Sequence, residues 1–247
     1  MPGLQAKRVL VLRAEHQANE LAEMLSARGA QPVIVPVIRI LPAKNRSMID
    51  DALKRLHDFQ WTVFTSVNGV ESIVSRLYAG GQDPADGRPG FTIPTRVAAI
   101  GPATARALLA AGVVVDWMPG AYTSVALAEE LPGPPSRVLL IRAEVAPTEL
   151  EEILRGRGFE VERLNAYRTE ATGAPGLEQA LRDVDAVTFT SAWIVRCFVE
   201  AAGSKLRHLD ATVCSIGPAT SRACHNHGIK VDVEASEHTL PGLVDAL

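Results

Sequence analysis

Four short motifs hold the residues of this chain best placed to do chemistry. Two are Thr-Ser pairs, Thr65-Ser66 and Thr190-Ser191, and two are Gly-Pro-Ala-Thr stretches at 101–104 and 217–220. Each stands where a β-branched run gives way to a helical pattern. A hydroxyl there can cap the first helical turn, and a Pro at the helix opening lacks an N–H that would have had no partner anyway. The other first-turn N–H groups, with the positive end of the helix dipole, suit a carboxylate or phosphate. Any one of these turns, taken singly, reads as an ordinary cap. Four of them ask for a ligand with several carboxylates, bound near Ser66, Thr104, Ser191 and Thr220 if the helix ends converge on one cleft.

Arg13 and Arg142 end two apolar runs, and two roles are open to them: reaching a substrate carboxylate, or pairing with Glu15 or Glu144. Tyr167, in the stretch 164–169, reads from the residues alone as a packed tyrosine with a satisfied hydroxyl rather than a catalytic one. Cys224, His225 and His227 come nearest to a metal set. They precede Gly228 at the end of a helical pattern, where the dipole favours imidazolium, and a closed site would need further ligands. The chain has no dinucleotide fingerprint, P-loop, nucleophile elbow or Cys-x-x-Cys pair.

The elements that must position these residues come in two copies. Shifted by 129, residues 9–29 match 138–158 at eleven of twenty-one positions, where ordinary composition would give about one or two. Phe64-Thr65-Ser66 falls on Phe189-Thr190-Ser191 at an offset of 125, and Ile100 to Thr104 on Ile216 to Thr220 at 116. The shrinking offset points to surplus residues in the first copy, chiefly the Gly-, Pro- and Asp-rich stretch 80–94, expected as a surface excursion. In the first copy, strands are expected at 9–13, 32–38, 62–65, 97–100 and 113–117, and helices at 17–28, 67–78, 102–111 and 124–131. The unalternated apolar character of the runs suits parallel strands covered on both faces. The expectation is an α/β protein with a five-stranded, doubly wound sheet made twice.

Composition leaves a small-molecule ligand as the natural partner. Net charge is -3 with scattered basic residues, and aromatics are 5% of the chain, so no nucleic-acid footprint is present. No run approaches the ~20 apolar residues of a membrane span. Three cysteines, without a disulfide-like spacing, fit a reducing cytoplasm.

In order and in duplication these motifs resemble the uroporphyrinogen-III synthase family. The likeness covers nearly the whole chain: the early Arg13 strand, Phe64-Thr65-Ser66 with Asn68-Gly69-Val70, Ile100 to Thr104, Tyr167-Arg168-Thr169, Phe189-Thr190-Ser191 and Ile216 to Thr220. The resemblance implies two similar domains joined by a two-stranded connector, the first built from 1–38 and 168–247, the second from 39–167. A tandem split near Pro134 is the alternative. It also implies a monomeric enzyme of haem and other tetrapyrrole biosynthesis that needs neither metal nor organic cofactor. Such an enzyme takes hydroxymethylbilane, expels its terminal hydroxyl and closes the ring with the last pyrrole inverted through a spiro intermediate. The eight carboxylates of that substrate agree with the anion-accepting turns. Tyr167 matches the tyrosine that the family places in its cleft, where a phenol would bond or protonate the leaving hydroxyl. From a different class, a non-catalytic two-lobed sensor of small anions or tetrapyrroles would use the same sheets, although no appended DNA-binding helix pair accompanies them.

Overall fold

The structure, a computed structural model, describes residues 4–79 and 93–247. The chain opens with β1 (Arg8–Val11), α1 (Glu15–Ala27), β2 (Gln31–Ile34) and β3 (Ile38–Pro42). There follow α2 (Arg46–Lys54), β4 (Trp61–Phe64), α3 (Val67–Ala79), β5 (Arg96–Ala99), α4 (Pro102–Ala110), α5 (Ser124–Glu130), β6 (Arg137–Ala143), α6 (Glu149–Gly156) and β7 (Glu160–Ala171). The last third holds α7 (Leu177–Asp183), β8 (Ala186–Phe189), α8 (Ala192–Ala202), β9 (Thr212–Ser215), α9 (Pro218–Asn226), β10 (Val233–Glu234) and α10 (Leu240–Ala246).

These elements make two compact units, one of Met1–Arg39 with Glu170–Leu247 and one of Ile40–Thr169. The first has a five-stranded sheet in the order β10-β9-β8-β1-β2, the second one in the order β3-β7-β6-β4-β5. β1 pairs in parallel with β2 and β8, and β6 pairs in parallel with β7 and β4. Strands close in sequence are thus divided between sheets. The chain passes from one unit to the other within β3 and returns within β7.

Apolar clusters cover both faces of the second sheet. Phe64, Ile141, Leu164 and the inner faces of α3 and α4 form one, while Val63, Leu140, Leu127 and Leu150 form the other. In the first sheet Val9 and Val11 pack under α1 and α10, and the rings of Phe189 and Phe198 meet edge-on at 5.1 Å. Fully burying a side chain of this kind contributes about 1.5–3 kcal/mol, so alternation across each strand fixes which helix lies on which face.

The duplication is visible in polar detail. The N–H of Val213, second in β9, donates to the Asp232 carboxylate at 3.0 Å, as that of Val97, second in β5, donates to Asp116 at 2.7 Å. Thr123 caps α5 by accepting from Ala126 N–H, as Thr239 caps α10 by accepting from Gly242, both at 3.1 Å.

Some sequence expectations need correction. Residues 113–117 make no strand; Trp117 forms a single bridge to Ala98, and Val114 is exposed. There the backbone follows β5 only briefly, because the Asp116 side chain takes up the Val97 N–H. The stretch 32–38 splits into β2 and β3 around Pro36, whose nitrogen cannot donate to a ladder. Helix α2 had no counterpart in the expectation, and the excursion expected at 80–94 lies, but for its last two residues, outside the described residues.

Candidate active site

Parallel strands deliver their loops to one end of a sheet, so the turns that follow them become neighbours. In the second unit Phe64 lies beside Ala99 and Ile141, and Ile100 N–H donates to the Phe64 carbonyl at 3.0 Å. The turns carrying Ser66 and Gly101 and the end of β6 carrying Arg142 therefore leave the sheet side by side. The first unit repeats this: Phe189 lies beside Ser215, and Ile216 N–H donates to the Phe189 carbonyl at 2.9 Å. Ser191 and Gly217 follow those strand ends, and Arg13 follows β1, whose Val11 lies beside Thr188 of β8.

Ser66 precedes α3 and accepts the Gly69 N–H at 3.1 Å, as expected of a capping hydroxyl. The same oxygen lies 3.0 Å from the Tyr167 hydroxyl. Tyr167, buried on β7, has its own carbonyl fixed by the Glu144 N–H at 2.8 Å. The neighbouring Thr65 hydroxyl donates to the Ile141 carbonyl at 3.0 Å and ties the turn to β6. Because Ser66 already accepts the backbone N–H, it can donate its own proton to the tyrosine oxygen and leave the phenol proton free to point outward. In the first unit Ser191 caps α8 by accepting the Ile194 N–H at 3.2 Å, and the position matching Tyr167 is Ile38.

Thr104 and Thr220 occupy the first turns of α4 and α9 and are both buried. The glycines two residues before the second helical positions are there for space. A Cβ on Gly101 would come within 3.1 Å of the Tyr122 side chain, and one on Gly217 within 2.7 Å of the His238 ring.

The two arginines, equivalent by the repeat, have different surroundings. Arg142 Nη1 donates to Glu151 at 2.6 Å and to the Pro147 carbonyl at 2.7 Å, so its acid is Glu151 on α6 and not Glu144. Glu151, only 2% exposed, also takes Arg163 at 3.1 Å. At the 129 offset Glu151 falls on Ala22. Arg13 thus has no such acid beneath it; its partner is Glu20 at 4.0 Å, not Glu15, and its buried Nη1 has no hydrogen bond. Burial holds this guanidinium below its ordinary pKa, and Glu20 offsets that only in part.

Glu151 and Arg163 were not singled out by sequence reasoning. Glu151 lies in an acidic run, 149–152, that reads as a solvated face, yet it is three residues before buried Leu154 and next to buried Leu150. That helical spacing is the signal that it faces the sheet. Cys224 is buried while His225 and His227 are exposed at the end of α9. Among the described residues no group of three His, Cys, Asp or Glu side chains could hold a metal ion, and no helix is long and apolar enough to cross a membrane.

A family model described as Uroporphyrinogen-III synthase HemD matches residues 19–245. A uroporphyrinogen-III synthase of Synechococcus elongatus is 31% identical over 99% of this chain and 95% of its own length. One of Chlorobaculum parvum is 29% identical over 92% of each chain. Among solved structures, a mutant uroporphyrinogen III synthase of Thermus thermophilus aligns with a TM-score of 0.65 at 23% identity, covering 97% of this chain and 96% of that one. At that identity the structural likeness speaks for the fold.

Proposed function

The chain belongs to the uroporphyrinogen-III synthase family, and from that premise we propose that it cyclises hydroxymethylbilane with Tyr167 as the proton donor and Ser66 as the hydroxyl that holds its oxygen. The reaction is a lyase reaction: the terminal hydroxyl leaves as water and the macrocycle closes with the last pyrrole inverted. The observation that supports the assignment of roles is the chain of hydrogen bonds from Gly69 N–H to Ser66 at 3.1 Å and from Ser66 to Tyr167 at 3.0 Å.

The lone pair of the pyrrole nitrogen pushes the hydroxyl out, so the substrate supplies much of the driving force. A weak acid then suffices. Tyr167 donates its proton to the departing hydroxyl, and Ser66 holds the phenolate oxygen while the α3 N-terminus favours the charge that develops. The azafulvenium-type carbon left behind is attacked by the substituted α-carbon of the terminal pyrrole to give the spiro intermediate, which reopens and recloses inverted through the free α-carbon; the proton that this carbon then loses returns to the phenolate, so that water is the net loss. Positioning carries the remainder, since inverted closure must outrun direct closure.

Substrate carboxylates are assigned to Arg13 and to the turns of Ser66, Thr104, Ser191 and Thr220. Arg13 is favoured over Arg142 because a half-buried guanidinium whose buried Nη1 has a long ion pair and no hydrogen bond gains most from a new carboxylate. Arg142, already held by Glu151, is assigned to the support of the loop after β6.

The test is to generate hydroxymethylbilane in situ, add the protein with a chelator and without nucleotide, and resolve the oxidised products by isomer. Spontaneous closure gives the uninverted type I ring. A protein-dependent excess of type III is expected; type I alone from folded protein would overturn the assignment and leave a tetrapyrrole-binding sensor.

A further inference from the structure

Tyr167 faces Ser66 because β7 carries one residue more than its neighbour. Arg142 stands opposite Asn165, but the next residue of β6, Ala143, stands opposite Tyr167, and Ala166 is skipped. Along a strand, side chains alternate between faces. Leu164 and Ala166 accordingly join the apolar cluster of Phe64, Val70 and Ile73, whereas Asn165 is exposed and accepts from Arg163 at 2.9 Å. Continued alternation would send Tyr167 to the side of Asn165. The bulge resets the phase, and Tyr167 joins Ala166 in the α3-facing cluster. Re-aiming one side chain is what such an extra residue does.

The skipped residue is held from the α3 side, where the Ser72 hydroxyl donates to the Ala166 carbonyl. Ser72 is six residues further along the helix whose first turn Ser66 caps. One helix therefore fixes both the Ser66 hydroxyl and the bulge that presents the phenol to it.

The repeat supplies an internal control. At the offset that puts Ser66 on Ser191, Ser72 falls on Cys197, which is buried. A thiol is a weak donor, so the same helix position packs in the first unit without a hydroxyl. That unit also has Val37 and Ile38 where the second has Ala166 and Tyr167. Serine and tyrosine occur together in one half and are both replaced in the other.

We propose that Ser72 is a positioning residue of the reaction: its bond to the Ala166 carbonyl fixes the bulge that turns the Tyr167 phenol onto Ser66. The role rests on the reading of Tyr167 as the proton donor. Ser72 touches no substrate and acts through the tyrosine alone.

Ser72→Ala and Ser72→Cys, each alone and combined with Tyr167→Phe, are assayed for kcat and KM on hydroxymethylbilane generated in situ. With Tyr167 present, either substitution is expected to lower kcat roughly 10-fold and to move KM less than about twofold, a loss of aim rather than of binding. In the Tyr167→Phe background the same substitutions should change kcat less than about twofold, since no phenol is left to aim. Ser72→Thr, which keeps the hydroxyl, should recover most of kcat. The cysteine variant guards against a folding defect, because the first unit already packs a cysteine at this position; thermal unfolding checks each protein. Full kcat in Ser72→Ala and Ser72→Cys beside a slow Tyr167→Phe would overturn the positioning role alone. Equal losses in both backgrounds would overturn it in favour of packing. Full turnover in Tyr167→Phe by itself would remove the acid and the positioning role together.

Discussion

The hydroxyls of Ser66 and Tyr167 lie 3.0 Å apart although 101 residues of chain separate them, and the same serine oxygen caps α3. Tyr167→Phe is expected to lower kcat within the ~100- to 10,000-fold range of general acid catalysis while some type III product persists. Ser66→Ala should do likewise and also lower stability by about 1 kcal/mol through loss of the cap. Steady-state assays at saturating substrate, with urea unfolding of the same samples, separate the two effects. A Tyr167→Phe protein with undiminished kcat would exclude the acid role.

Arg13 should respond to substitution in binding rather than in folding stability. Arg13→Ala removes a guanidinium whose Nη1 is unbonded, so KM is expected to rise roughly 10- to 100-fold, the worth of a charge-assisted bond, with little change in folding stability. Arg13→Lys should restore part of the affinity at most, since an ammonium cannot grip a carboxylate through two parallel bonds. Initial-rate measurements over substrate concentration decide; an unchanged KM in Arg13→Ala would place the substrate elsewhere.

Glu151 is the acid shared by Arg142 at 2.6 Å and Arg163 at 3.1 Å. Glu151→Gln leaves two guanidinium groups facing a neutral amide and is expected to cost about 3–5 kcal/mol of unfolding free energy, as for other broken buried pairs. Chemical denaturation measures this directly. Arg163 also donates to the Ala143 and Glu144 carbonyls at 2.7 and 3.0 Å, so disorder in that loop should appear as lowered amide protection of Glu144, which bonds the Tyr167 carbonyl.

Asp232 gives an acid-limb signature. The Val213 N–H, followed by Lys230, holds its carboxyl below the ordinary carboxylate value. A carboxylate whose folded pKa is depressed stabilises the fold fully above its unfolded value near ~4 and loses that contribution as pH falls through the folded value. Wild-type protein should therefore exceed Asp232→Asn in urea midpoint at pH ~6, with the gap closing as pH falls below the unfolded carboxylate value and through the folded one. A gap independent of pH would show that geometry, not charge, supplies the stability.

What the sequence made legible follows from what local chemistry can encode. Apolar runs such as Val138 to Ile141 announce buried parallel strands, and Pro102 and Pro218 mark helix openings that the structure has at the same residues. The Ser66 cap could likewise be read from Thr65-Ser66 before a helical period. Three features could not. The run 113–117 has strand-like composition, but β-propensity says nothing of whether a ladder partner continues, and here only Trp117 bridges. The bulge at Ala166 is a matter of register between strands, which neither strand states alone. Glu151 is identical in type to its exposed neighbours; its spacing from Leu154 marks the inward face, but its pairing with Arg142 of β6 and Arg163 of β7 is set by tertiary contacts that the helix does not state.

The pairing of β1 with β8 has a consequence for the order of assembly on the ribosome. Everything in Ile40–Thr169 is contiguous, so that unit can close as soon as its own last strand emerges. The opening strands β1 and β2 can pair with each other, but the other edge of β1 and the apolar face of α1 must wait through all of that synthesis, because β8 and α10, which cover them, are made afterwards. The nascent chain thus carries a sticky leading segment for most of its translation, which is the period when a holdase would have something to hold and when a long-range, slow pairing step remains to be made.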